Sequence, residues 1–139
     1  MKELDNLVKI HQLKIEPADA KEFAGMLRAG QAKLKDALIT GLSEDSQFSL
    51  AYGAAHALSL AALRWHGYRS DSRYLVFQCL QHTLGLKRAK WRVLDNCHKA
   101  RNLAEYEGHL DVNPQLLKEL ILITKEILQL VQALPAIKQ

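Results

Sequence analysis

The chain has 139 residues, 48% of them hydrophobic and 24% charged, with a formal charge of +4 at pH 7. That balance excludes a wholly disordered polymer, and the length fits one domain, residues 1–139, rather than two. The mild basic excess is compatible with a phosphate-bearing partner without demanding one. Leu and Ala dominate, while Val, Thr, Phe and Trp are scarce, so helices are favoured over strands. The opening MKELDNLVKI lacks the apolar core of a signal peptide. The small-apolar stretch Ala51 to Leu63 is broken by His56 and Ser59 and is too short to span a membrane, so a cytoplasmic location and no membrane partner are expected.

Leu4, Leu7, Val8, Ile10 and Leu13 outline a short first helix. Pro17, with Asp19 and Glu22 behind it, opens a second, whose apolar residues Phe23, Leu27, Leu34, Leu38 and Ile39 recur at helical spacing. Gly25 and Gly30 predict a kink or break near residue 30. Ser43 and Ser46 are candidate caps for a third helix running to about Trp65. Its body, AYGAAHALSLAAL, presents small residues on most sides, which predicts the central, most buried helix. HGYRSDS reads as a loop, stopped by Gly67, with Ser70 or Ser72 capping a fourth helix from about Arg73 to Leu84. A fifth runs from Lys87 to about Tyr106 and ends at Gly108. Asn113 and Pro114 start a last one that ends at Pro135. The sum is an all-α antiparallel bundle of five to six helices.

The fifth helix carries the candidate chemistry. At roughly 100° per residue, Val93, Cys97, Ala100 and Ala104 fall on one side, with Leu94 and Leu103 at its margins. Asp95, His98, Arg101, Asn102, Glu105 and Tyr106 share a polar arc. Arg101 stands at the boundary, where its stem is expected to pack and its head to be oriented. The fork of guanidinium donors, with Asn and Tyr beside it, suits a phosphate. The bland alternative is a solvated face held by pairs such as Arg101–Glu105, and composition alone favours that alternative.

The run Arg101-Asn102-Leu103-Ala104-Glu105-Tyr106, late in the penultimate long helix, resembles the HEPN superfamily (higher eukaryotes and prokaryotes nucleotide-binding). AYGAAHALSLAALRWHGYRSDSRYLVFQCLQHTLGL resembles that family's small-residue helix, its GYR loop and the helix that follows, so the likeness covers roughly residues 45–108. The resemblance implies a helical bundle that pairs as a homodimer through its motif helices and binds RNA or nucleotide. In nuclease members an Arg steadies the phosphate charge and a His a few residues on moves protons, without metal. Here Tyr106 stands at the first position that His can take, and Glu107 and Gly108 at the others. A phenol titrates near 10, too high for a general base at neutral pH. The catalytic candidates are therefore Arg101, Asn102 and Tyr106, with His98, one turn earlier, as the alternative base.

Lys87, Arg88, Lys90 and Arg92, with Arg101, are candidate nucleic-acid contacts, and Trp91 or Trp65 could stack on bases. His56 reads as a hydrogen-bonded packing residue, and Asp71 to Arg73 as a cap and its neighbour. Cys79 and Cys97 read as reduced packing residues, and neither cysteine nor histidine spacing indicates a metal, so no metal or cofactor is expected. Three functions fit: an RNA- or nucleotide-binding HEPN module with weak or no catalysis, a metal-independent endoribonuclease of a toxin–antitoxin system, and a dimeric partner subunit of a nucleotidyltransferase. The first is favoured. The partners that follow are a second copy, RNA or nucleotide, and an antitoxin or a nucleotidyltransferase.

Overall fold

A computed structural model describes residues 1–138. Its elements, in chain order, are α1 (Lys2–Lys9), β1 (Lys14–Ile15), α2 (Ala20–Ala37), α3 (Glu44–Trp65), β2 (Tyr68–Arg69), α4 (Arg73–Gln78), α5 (Leu80–Thr83), α6 (Arg88–Glu107) and α7 (Pro114–Gln132). The expected all-helical bundle is observed. No helix among the described residues is long and apolar enough to cross a membrane.

Small side chains make α3 the centre. Ala51, Ala54, Ala55, Ala61 and Ala62 are fully buried, and α2 and α7 close over the helix from two sides. The core joins Phe48, Tyr52, Leu58, Phe77, Leu80 and Leu94 to Leu120, Ile127 and Val131 of α7. A smaller cluster, Leu4, Leu13, Leu63, Tyr68, Val76 and Cys79, seats α1.

The predicted punctuation recurs at the helix ends. Ser43 caps α3 by accepting from the Ser46 amide, and Ser72 caps α4 through Leu75 N. Asn113 accepts from two amides of α7, with Pro114 next in line. Gly67 and Gly108 take the left-handed backbone that their turns require.

Four features depart from expectation. First, α2 does not break at residue 30. A Cβ on Gly30 would lie 2.5 Å from Leu58 Cγ, so this glycine serves close helix contact rather than a kink. Three residues on, Lys33 lies where a Cβ on Gly53 would meet it at 3.4 Å, in the opposite order along α3, as antiparallel helices demand. Second, the expected fourth helix divides at Cys79 into α4 and α5. Third, the HGYRSDS loop contains β2, whose partner β1 lies just beyond the end of the expected first helix. That helix stops at Lys9, and His11 adopts φ 60°. Fourth, the buried stripe of α6 is Trp91, Leu94, Asp95 and Cys97, while Leu103 is 58% exposed.

The β1–β2 ladder is held by Arg64, only 2% exposed. Its guanidinium donates to the Glu16 and Pro17 carbonyls and to Glu22 Oε1 at 2.6 Å. Arg69 completes the network by donating to Glu16 and Glu22. Arg64 in turn holds the Glu22 carboxyl below its ordinary range. Tyr68 donates a short hydrogen bond to Asp5, which ties α1 to the same corner. Burial pushes the thiols of Cys79 and Cys97 up, to about 11 and about 12, so both are inert packing groups at neutral pH.

Candidate functional site

Arg101 does not point into open water. Its guanidinium carbon lies 5.0 Å from the centre of the buried Tyr52 ring, a cation–π distance that holds the head half packed. Arg73, the first residue of α4, lies 5.5 Å from the same ring. Two guanidiniums thus share one aromatic surface, and the ring is itself fixed against Phe48 and Phe77. Among the described residues neither Arg73 nor Arg101 has a carboxylate within ion-pair distance. The pairing of Arg101 with Glu105 does not form.

His98 completes the arrangement. Its Nδ1 lies 2.9 Å from the Tyr52 hydroxyl and its Nε2 3.2 Å from Asn102 Nδ2. The donor and acceptor in each contact follow the imidazole tautomer, and together the two contacts engage both ring nitrogens.

Two further basic groups face the same place. His56 follows Tyr52 by one turn of α3, and Lys33 reaches it from α2 across Gly53. Burial first, then the charges of Arg73, Lys33, Arg101 and His98, pushes the His56 imidazole down to about 4, so it is neutral at pH 7. The expected hydrogen-bonded packing role does not describe it: neither ring nitrogen has a partner among the described residues, and neither is sealed from solvent. A groove of about 370 Å³ opens beside Arg101, lined by Phe48, Ser49, Ala104, His109 and Leu110 and by one acid, Glu105.

Five basic side chains from four helices therefore gather around Tyr52 and the residues next to it on α3, and among the described residues no carboxylate is ion-paired to either guanidinium. Such a place can take an oxyanion: guanidiniums supply paired donors, the ammonium a point charge, and the imidazoles and phenol further hydrogen bonds. Among the described residues no three His, Cys, Asp or Glu side chains gather as a metal site would need.

The residues singled out from sequence are not all brought here. Arg101, His98 and Asn102 are. Tyr106 is 96% exposed and stands apart from the Tyr52 cluster. Lys87, Arg88 and Arg92 lie on the exposed surface of α6, and Lys90 pairs with Glu126 of α7 at 2.7 Å. At roughly 100° per residue, Arg92 falls about half a turn round α6 from Arg101, and Lys87, just ahead of α6, stands about four turns away from it along the axis. Trp91 is buried in the core, and Trp65 donates to the Pro135 carbonyl, so both are packed. Asp95, expected on the polar arc, is buried, with Oδ1 unpartnered and Oδ2 paired to Lys99.

Sequence reasoning missed Tyr52, His56, Arg73 and Lys33. One signal was present: Tyr52 and His56, four apart, share a face of a helix otherwise built of small residues. Nothing local marks Arg73 or Lys33, because only the packing of α2 and α4 on α3 brings them in.

No protein-family model matches the chain, and no curated protein or solved structure matches it.

Proposed function

We propose that this chain is a HEPN-type module that binds RNA or a nucleotide as a homodimer, and that binding rather than catalysis is its main activity. The observation that carries the reading is the pair of guanidiniums, Arg73 and Arg101, held over one tyrosine ring with no ion-paired carboxylate among the described residues. An arginine kept in this state is desolvated in part and unpaid in charge, which favours an arriving phosphate.

Two features support weak catalysis. Both ring nitrogens of His98 are engaged, by Tyr52 and by Asn102, so neither is free to draw a proton from a ribose hydroxyl. Tyr106, in the place of the family's His, stands in solvent. Pairing of two copies is supported by the exposed Leu103 and Tyr106, which project from the same helix as Arg101.

The reading is tested by the anisotropy of a labelled short RNA and of a labelled nucleotide. Arg101→Ala and Arg73→Ala should each weaken binding by about 10- to 100-fold, the loss of a charge-assisted contact. Affinity unchanged in both variants overturns it. Sizing should give about twice 15.7 kDa. RNA cleavage in excess chelator that is lost in Arg101→Ala would instead favour the endoribonuclease reading.

A further inference from the structure

His56 projects from α3 with its ring edge-on to Phe77, centroids 6.1 Å apart. It is the group in the cluster whose hydrogen-bonding capacity is unspent, since His98 is committed through both nitrogens. Tyr52 stands one turn before it on its own helix and packs on the same Phe77 ring. Arg73 from α4 and Arg101 from α6 lie over Tyr52, Lys33 from α2 reaches Gly53, and the charges of these three and of His98 act on His56. Each of the four that act on it through charge is basic, so in the free protein the surrounding field opposes a further positive charge.

We infer that His56 is a ligand of the anion held between Arg73 and Arg101, and that it takes up one proton as that anion enters. The inference rests on the reading of the cleft as a phosphate site. Burial is the larger cause of the neutrality of His56, and an oxyanion set among Lys33, Arg73 and Arg101 offsets the part that comes from their charges. The imidazole then becomes an imidazolium and donates a charge-assisted hydrogen bond to the anion. The proton comes from solvent and no covalent bond changes. By linkage, the anion raises the affinity for the proton by the factor with which the proton raises the affinity for the anion. Binding therefore tightens as pH falls from neutral, by at most about tenfold per pH unit for one coupled proton. The neutral imidazole thus makes the free site selective: it presents its full charge only when an anion is there to meet it.

Two measurements on the full-length protein test this. In the first, the imidazole signals of His56 in the wild-type protein are followed by NMR against pH, with and without inorganic sulfate, an oxyanion that stays doubly charged throughout. The His56 midpoint should move upward by more than about one unit in sulfate. An unmoved midpoint overturns the inference. In the second, an oligouridylate without terminal phosphate, whose groups do not titrate between about pH 5 and 8, is titrated into wild type and His56→Gln. Wild type should bind about tenfold more tightly near pH 5.5 than near pH 7.5, and His56→Gln should lose most of that gain. An equal gain in both proteins overturns the coupling and leaves the nucleic-acid reading standing. If sulfate shifts His56 while the oligonucleotide fails to bind, the proton coupling holds and the nucleic-acid reading falls.

Discussion

Arg64 and Arg101 are helical arginines whose heads are both withdrawn from bulk water, yet they are provided for in opposite ways. Arg64 is saturated: two backbone carbonyls, the Tyr68 carbonyl at 3.3 Å, and the carboxylates of Glu16 and Glu22 satisfy it. Arg101 has an aromatic face beneath it and another arginine across that face. The first arrangement has no capacity left and serves structure, by fixing the β1–β2 corner to α3. The second keeps its capacity for something absent from the chain. Arg64 is the more deeply buried, but it is the inventory of acids around each guanidinium that marks one as structural and the other as available.

The sharpest test of that contrast is Arg64→Ala. It leaves three carbonyls and Glu22 Oε1 without that donor, though Arg69 still holds Glu22 Oε2, and each acceptor left unsatisfied away from water costs about 1–3 kcal/mol. At this chain length their sum is a fall in Tm of roughly 10 °C or more, read by calorimetry. A fall of only a degree or two would mean that Arg64 is as unspent as Arg101. The converse variants, Arg73→Ala and Arg101→Ala, should change stability by no more than about 1 kcal/mol, the worth of a cation–π contact at a half-exposed site, even where they abolish binding. A large loss of stability in either would mark that arginine as structural and erase the distinction.

A smaller effect comes from pH. His56 has its pKa depressed below that of the unfolded chain, so the folded state resists the proton that the unfolded state accepts. Its contribution is complete above about pH 6.5 and declines as pH falls toward about 4, a loss on the order of 2 kcal/mol that His56→Gln should flatten. Glu22 acts at lower pH. Its carboxyl is depressed by Arg64, so its contribution is present above about 4.5 and is lost as pH falls through the lower folded value. Glu22→Gln should remove the acid sensitivity of the β1–β2 corner, followed by amide exchange there. Least of all, Lys90→Ala breaks a half-exposed pair with Glu126 and should cost under about 1 kcal/mol in denaturant titrations.

What could be read in the sequence was whatever is encoded locally. Ser43, Ser72, Asn113–Pro114 and Gly108 mark helix ends because a cap or a left-handed residue acts within a turn of itself. The small-residue helix announced its own burial. The cut at Cys79 and the two-residue ladder were not legible, since both answer to tertiary packing around Leu13, Tyr68 and Val76. Arg101 could be placed at a boundary by angle alone, but the identity of the boundary, the Tyr52 ring, belongs to another helix. Asp95 shows the limit of the angular argument. Its position looks polar from composition, yet α6 is turned so that Asp95 is covered and Leu103 is not.

The glycine at position 30 has a consequence that reaches beyond helix contact. Gly30 and Lys33 lie on one face of α2, and that face runs antiparallel along α3 from Leu58 toward Gly53. The register that lets two backbones touch is thus also the ruler that delivers the Lys33 ammonium beside His56. Inserting one residue between positions 30 and 33 would swing that ammonium by roughly 100°, and Leu34 and Ala37 with it. A redesign that fills the notch with alanine would force the rods apart and carry the charge away with them. Altering this cleft therefore begins in the interior, at a residue with no side chain of its own.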